Sequence, residues 1–336
     1  MLRRPRTPGQ TFFSRLRTFF RRRFLDLTFL GITLAVALGL LALLTAFILV
    51  LLNASRLAID RFGLALLGEP RWAPSAGHFG FLPFIDGTLI TAAVGLVIAV
   101  PISLGIAIFL SELAPRWLSE PLGYLVELLA AVPSVIFGFW GIFVLVPVMR
   151  TTIDPALASA NASVNQALHV NIPVFTGPIL GSGVLTAGVI LAVMIIPTIS
   201  AISREALRAV PSPQREAAFG LGATQWEATR ISVLSYARIG IVGAIILGLG
   251  RAVGETMAVT MVIGNSDFVP TSLFSQGQTI ASLIANEFLS TYSNPLTASA
   301  FLEAALVLLL ITLTINIGAR LLVWRLVRST GGGGIE

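Results

Sequence analysis

The chain of 336 residues contains no cysteine. That excludes disulfides, thiolate nucleophiles and zinc or iron–sulfur sites built on cysteine. Lysine is absent too, so all 22 basic residues are arginine. A Walker A phosphate loop needs a lysine to reach the nucleotide phosphates, and Schiff-base chemistry needs a lysine amine; both are ruled out. The chain is therefore not expected to hydrolyse ATP by itself. Histidine occurs only as His78 and His169, too far apart in sequence to suggest a metal site. Charge of either sign is scarce. Only 11% of residues are charged, against about 25% in an ordinary soluble domain. With 55% hydrophobic residues and a mean hydropathy of +0.90, the chain lacks the polar material to coat a water-facing surface. It reads as an all-α integral membrane protein.

Six apolar runs are long enough to cross a bilayer, at about 20 residues per spanning helix. They cover Leu27–Leu52, Gly87–Leu110, Pro121–Met149, Thr176–Ser203, Ile239–Gly264 and about Phe301–Val327. The first, second and fourth carry no charge; Glu127 lies in the third, and Arg251 and Glu255 lie in the fifth. Glu303 and Arg320 sit near the ends of the sixth, where long side chains can snorkel. Glu127 reads either as a pathway residue or as a partner for a neighbouring helix. Residues 1–24 form a basic segment with eight arginines interleaved with phenylalanines, which reads as a cytoplasmic, membrane-surface segment. Residues 25–328 form the six-span domain, and residues 329–336 a flexible glycine-rich tail.

Arginine counts set the orientation. The N-terminal tail, Ser111–Glu120, Arg204–Arg238 and the C-terminal end together hold 17 arginines; the alternate connections hold 4. Both termini and the Arg204–Arg238 connection are expected in the cytoplasm. Prolines 101, 133, 147, 178 and 197 fall inside the apolar runs and are expected to kink or break helices. Gly177-x-x-x-Gly181 and Gly250-x-x-x-Gly254 have the spacing of close helix contacts.

Two features carry chemistry. In the Arg204–Arg238 connection, Pro211 and Pro213 separate two helical pieces, and Gly220 and Gly222 permit a turn before a short helix that begins near Ala223. As a bare pattern this is an exposed helical hairpin, either a solvated loop or a dock. The second feature is Gly248-Leu249-Gly250-Arg251-Ala252-Val253-Gly254-Glu255. Arg251 lies 13 residues beyond Arg238, about 20 Å along a helix and past mid-membrane. Glu255 follows at i+4, on the same face if the helix continues. A charge in hydrocarbon costs at least ~2.5 kcal/mol, so such a pair marks either a functional site or a buried ion pair that sets helix register. Arginine suits an oxyanion because its planar fork donates two parallel hydrogen bonds and keeps its charge.

Glu216-Ala217-Ala218, followed by Gly222, resembles the EAA loop of ABC importer permeases. In that family the loop is a coupling helix that docks in a groove of the ATPase subunit. Ser232 and Ser235 depart from the family pattern, which has isoleucine and proline there, whereas Leu234 agrees with it. The Arg251–Glu255 stretch, Gly264-Asn265, Asp86-Gly87-Thr88, Ala131–Gly138 and Ile196-Pro197-Thr198-Ile199 resemble the PstC-type permease of bacterial phosphate-specific ABC importers. The likeness extends over residues 25–328.

The resemblance implies six transmembrane helices in the type I ABC importer (MetI-like) permease fold. It implies a bacterial inner-membrane subunit for inorganic phosphate, with Arg251 and Glu255 in the substrate pathway. Glu216, Ala217, Ala218 and Gly222 would contact the ATPase. The implied partners are a PstA-like second permease, a PstB-like ATPase dimer, a PstS-like extracytoplasmic binding protein and membrane lipids, with no nucleic acid. ATP and magnesium would be used by the ATPase, and no cofactor by this chain. The alternatives are the sister PstA-type subunit or a permease for sulfate, molybdate or phosphonate.

Overall fold

The computed structural model describes residues 8–331 except 171–172 and 290–293; of residues 8–25, 322 and 324–331 it describes the backbone alone. The side chains of the basic segment and the glycine tail at 332–336 lie outside the described residues. Among the described residues, six helical stretches are long and apolar enough to cross a membrane. The chain divides into two compact units, residues 1–54 and 55–336. The first unit is one long helix, α1 (Pro8–Ala54), whose apolar stretch Asp26–Ala54 is the first candidate span.

The second unit opens with the short helices α2 (Arg56–Phe62) and α3 (Ala65–Gly68) and a small antiparallel hairpin, β1 (Trp72–Ala73) and β2 (His78–Phe79). The hairpin folds around an aromatic cluster. Trp72 meets Phe84 and Phe79 edge-on at 5.5 and 5.8 Å, an arrangement that suits the ring quadrupoles. The second span, α4 (Leu82–Ile108), continues through a π-turn to Leu113.

Next comes α5 (Arg116–Ala130), a strongly amphipathic helix that is not among the candidate spans. The expected third span Pro121–Met149 is thus displaced. At Ala131–Pro133 the helix breaks, because proline donates no hydrogen bond and disfavours helix in the residue before it. The span instead runs over Ser134–Leu168 through α6 (Ser134–Trp140), α7 (Val146–Val148) and α8 (Asp154–Leu168), joined by π-turns.

The fourth span, α9 (Val184–Arg208), starts later than expected. Gly177 and Gly181 have φ of +106° and +78°, left-handed values that glycine tolerates and a helix does not. They shape a loop and are not a helix-packing face. Pro178 lies in that loop, whereas Pro101 and Pro197 sit inside helices that continue through them. The coupling region follows as α10 (Ser212–Gly220) and α11 (Gln225–Ala228). The helix continues through a π-turn into α12 (Leu234–Val253), completing the fifth span. Then come α13 (Met257–Val262), α14 (Ile280–Glu287) and α15 (Pro295–Gly331), which carries the sixth span.

Helix α9 lies at the centre of this unit, against α4 on one side and α12 on another. In a bilayer, lipid tails are as apolar as leucine, so close packing rather than water exclusion holds helices together, and small residues permit it. Gly95 of α4 rests on Leu191 and the Gly188 carbonyl, and Gly188 in turn leaves room for Val94. Gly248 of α12 sits against Ile199 of α9. A side chain at Gly188 or Gly248 would collide, and one at Gly95 would be tightly squeezed. The Ser103 hydroxyl adds a polar tie, donating to the Ile196 carbonyl at 3.2 Å. Glu303 does not snorkel: it is 7% exposed and faces an apolar cavity of about 370 Å³ with Ile59, Leu306 and Leu310.

Several motifs noted in the sequence serve the fold. Gly87 allows the Gln278 carbonyl to touch α4, and Thr88 Oγ1 accepts from the Ile280 amide at 3.0 Å. Asp86-Gly87-Thr88 therefore pins the segment before α14. Gly264 and Asn265 both have positive φ and turn the chain after α13, with Asn265 Nδ2 donating to the Thr260 carbonyl at 2.9 Å.

Candidate functional site: a coupling hairpin and a membrane arginine

Helix α10 begins after Pro211, and Pro213 lies in its first turn, where the missing amide costs no hydrogen bond. It ends where Gly222 takes φ +85°. Thr224 and Glu227 then form a capping box, which starts α11. Glu216, Ala217 and Gly222 are exposed and Ala218 is half-buried. Leu221 (91% exposed), Phe219 and Trp226 offer apolar surface beside them. Ser232, one of the departures from the family pattern, donates to the Gln214 carbonyl at 2.7 Å and ties the incoming and outgoing arms together.

The residue that holds this hairpin was not apparent from sequence. Arg215 reaches Glu112, at the end of the second span, through a two-pronged ion pair of 3.1 and 2.8 Å. The same guanidinium donates to the Val210 carbonyl at 2.6 Å and the Leu207 carbonyl at 2.9 Å. Gln225 Nε2 donates to the Glu112 carbonyl at 2.6 Å. One arginine thus joins the second span, the end of α9 and the first helix of the hairpin. Its position directly before Glu216-Ala217-Ala218 was the available signal, but its acid partner lies 103 residues away.

In the fifth span, the expected helical pairing of Arg251 and Glu255 does not form. Helix α12 ends at Val253, and Gly254 to Thr256 leave the helical path, so i+4 spacing no longer puts the two side chains on one face. Among the described residues they form no ion pair. Arg251 Nη1 instead donates to Thr198 Oγ1 of α9 at 2.8 Å, and Glu255 Oε1 accepts from the Ala258 amide at 3.3 Å in the first turn of α13. Both side chains are half-buried. Thr198 belongs to the Ile196-Pro197-Thr198-Ile199 motif, whose sequence alone assigns it no role. A single hydrogen bond to a hydroxyl leaves most of the five guanidinium donors of Arg251 available to an oxyanion.

Glu127 has a partner on a neighbouring helix: Arg204 of α9 lies 3.6 Å from it. Residues 99–328 match the family described as "Binding-protein-dependent transport system inner membrane component". The chain is 44% identical over 318 residues to the phosphate transport system permease protein PstC of Haemophilus influenzae, covering 95% of this chain and 99% of that protein. The chain belongs to the PstC family of binding-protein-dependent transport permeases. The PstC protein of Mesorhizobium japonicum is also 44% identical, over 95% of this chain and 96% of its own. Among solved structures, an inward-facing MetNI methionine ABC transporter chain aligns with a TM-score of 0.52 at 17% identity, covering 73% of this chain and 97% of that one. That likeness places the fold among MetI-like permeases. PstC permeases are transport components, and this one is a multi-pass membrane protein.

Proposed function

We propose that this chain is one of two permease subunits of an ATP-driven importer of inorganic phosphate. The carrying observation is 44% identity to PstC permeases over nearly the whole of both chains. The membrane arginine supplies the chemistry. Arg251 binds a phosphate oxygen pair through its fork, held in place by Thr198. Glu255, in the break between α12 and α13, supplies a carboxylate that accepts a hydrogen bond from a protonated phosphate oxygen, which fully ionised sulfate lacks.

The exposed surface of Glu216, Ala217, Ala218 and Gly222 docks in a PstB-like ATPase subunit, which binds ATP and magnesium. This chain supplies no ATPase site. A PstA-like second permease completes the pathway, and a PstS-like protein delivers phosphate from outside. The chain lies in the bacterial inner membrane with both termini in the cytoplasm, an orientation that the 17-to-4 arginine asymmetry supports. Arg215 makes the hairpin a rigid extension of the second and fourth spans, so closure of the ATPase moves those helices. Purification of the native complex with this chain as bait tests the reading: a second permease and an ATPase are expected in fixed proportion. Recovery of the folded chain without an ATPase would count against it.

A further inference from the structure

Between α5 and α9 lies a cavity of about 220 Å³ lined by Glu120, Tyr124, Glu127, Arg204 and Arg208. It belongs neither to the hairpin nor to Arg251. We propose that it is a second binding site for proton-bearing inorganic phosphate, taken up after the anion has passed Arg251. This deepens the proposed import function and rests on it.

Arg204 carries the inference. Its side chain is 7% exposed, yet its donors are poorly matched. Nη1 is 3.6 Å from Glu127 Oε1, Nη2 donates to the Ser119 carbonyl at 3.4 Å, and Nε is buried with no partner. A buried cation held only by contacts of 3.4 and 3.6 Å is poorly matched, since buried polar groups are otherwise satisfied, and a nearby anion would complete it. The seat is made for it: a Cβ on Gly123 would occupy the place of the Arg204 guanidinium.

One turn along α9, Arg208 lines the same cavity. Its Nη2 donates to Ser119 Oγ at 3.1 Å, and that hydroxyl donates to the Leu110 carbonyl at 2.6 Å. Two guanidiniums spaced i and i+4 thus line one cavity, and paired guanidiniums suit a tetrahedral oxyanion. At ~30 Å³ for each water, the cavity has room for such an anion and a few waters.

The two carboxylates select the anion. Glu120 and Glu127 only accept hydrogen bonds when ionised. Sulfate and a phospholipid phosphodiester have no proton to offer them and are repelled. Monohydrogen and dihydrogen phosphate carry one or two O–H donors. Arg204 stands six residues beyond Thr198 on α9, about 9 Å along its axis, so one helix carries both the partner of Arg251 and this second cation.

The test uses the purified complex of this chain with its partner permease and ATPase, without the extracytoplasmic binding protein. Equilibrium dialysis with radiolabelled inorganic phosphate is run in the Arg251→Gln background, so that only the cavity reports. Saturable phosphate binding is expected, with sulfate and added phosphatidylglycerol competing poorly. Adding Arg204→Gln should weaken binding at least tenfold. Adding Glu127→Gln, at a side chain that is 53% exposed and so tolerant of change, should make sulfate a competitor. Binding unaltered by Arg204→Gln in a complex of normal size would overturn the site, as would equal competition by sulfate before any carboxylate is changed, or displacement by the phospholipid. Phosphate uptake is measured in parallel with Arg251 intact and the binding protein supplied. Loss of the site with uptake intact refutes this inference alone, whereas failure of the unsubstituted transporter to carry phosphate refutes the proposed function.

Discussion

Truncating Arg215 should loosen the hairpin that meets the ATPase. In Arg215→Ala the Glu112 carboxylate, whose side chain is 9% exposed, loses both prongs of its partner, and the Val210 and Leu207 carbonyls each lose a donor. Removing one member of a buried ion pair costs about 3–5 kcal/mol, because the other charge stays buried and uncompensated. Arg215 itself is 23% exposed, so water relieves part of this and the lower end applies. At 1.4 kcal/mol per tenfold, a loss of about 3 kcal/mol raises the opened population of the hairpin roughly a hundredfold. Hydrogen exchange of the Ser212–Ala228 amides, with the chain in lipid nanodiscs, reads this directly. Exchange there should accelerate by about that factor, while the α4 and α9 amides keep their protection. Arg215→Lys keeps the charge but loses the fork, and should fall between the two. Unchanged exchange of α10 and α11 in Arg215→Ala would refute the claim that this arginine holds the hairpin.

Three further outcomes are expected. Gly222→Asp forces a side chain onto a φ of +85°, and Glu216→Lys reverses an exposed charge; each should abolish phosphate uptake at normal membrane levels. Normal uptake by both would remove the coupling role. Ser75 and Ser212 are both exposed, and the chain has no cysteine of its own, so Ser75→Cys should react with a membrane-impermeant thiol reagent in permeabilised-envelope cells while Ser212→Cys should not. The reverse pattern would invert the topology. Burial raises the Glu287 carboxyl above its ordinary 4.5, the Trp72 indole N–H at 3.1 Å opposes this, and Asp267 adds to the rise. The folded protein therefore favours protonated Glu287, and its stability declines as pH rises from 4.5 through the raised value. Glu287→Gln should melt higher than the unsubstituted protein at pH 7, with the gain vanishing below pH 4.5; a lower melting temperature at pH 7 would contradict the burial argument.

The existence of six spans was legible because lipid demands about 20 apolar residues per crossing, and no other pressure produces such runs. Their ends were not. Pro133 splits what looked like one apolar run into an amphipathic helix and a span, and Gly177 and Gly181 turn apolar sequence into loop. The hairpin was legible from Pro211, Pro213, Gly220 and Gly222, since proline restricts the backbone and glycine frees it, both locally. Its clamp was not, because Glu112 and Arg215 meet only through the tertiary fold. Reading Arg251 and Glu255 as an i,i+4 pair assumed a continuous helix, and the break at Gly254 overturns that geometry. Since Glu255 caps α13 through the Ala258 amide and does not neutralise Arg251, loss of Arg251 leaves no carboxylate stranded, and the variant should still fold.

Phosphate uptake by the reconstituted four-component transporter is the most direct test of the claim that phosphate passes Arg251. Proteoliposomes carrying this chain, its partner permease and the ATPase, supplied with the binding protein, should accumulate radiolabelled phosphate only with ATP. Arg251→Gln, alone or with Glu255→Gln, should assemble normally and transport none. Native-rate phosphate uptake by the double variant would show that both residues are structural and would contradict the account.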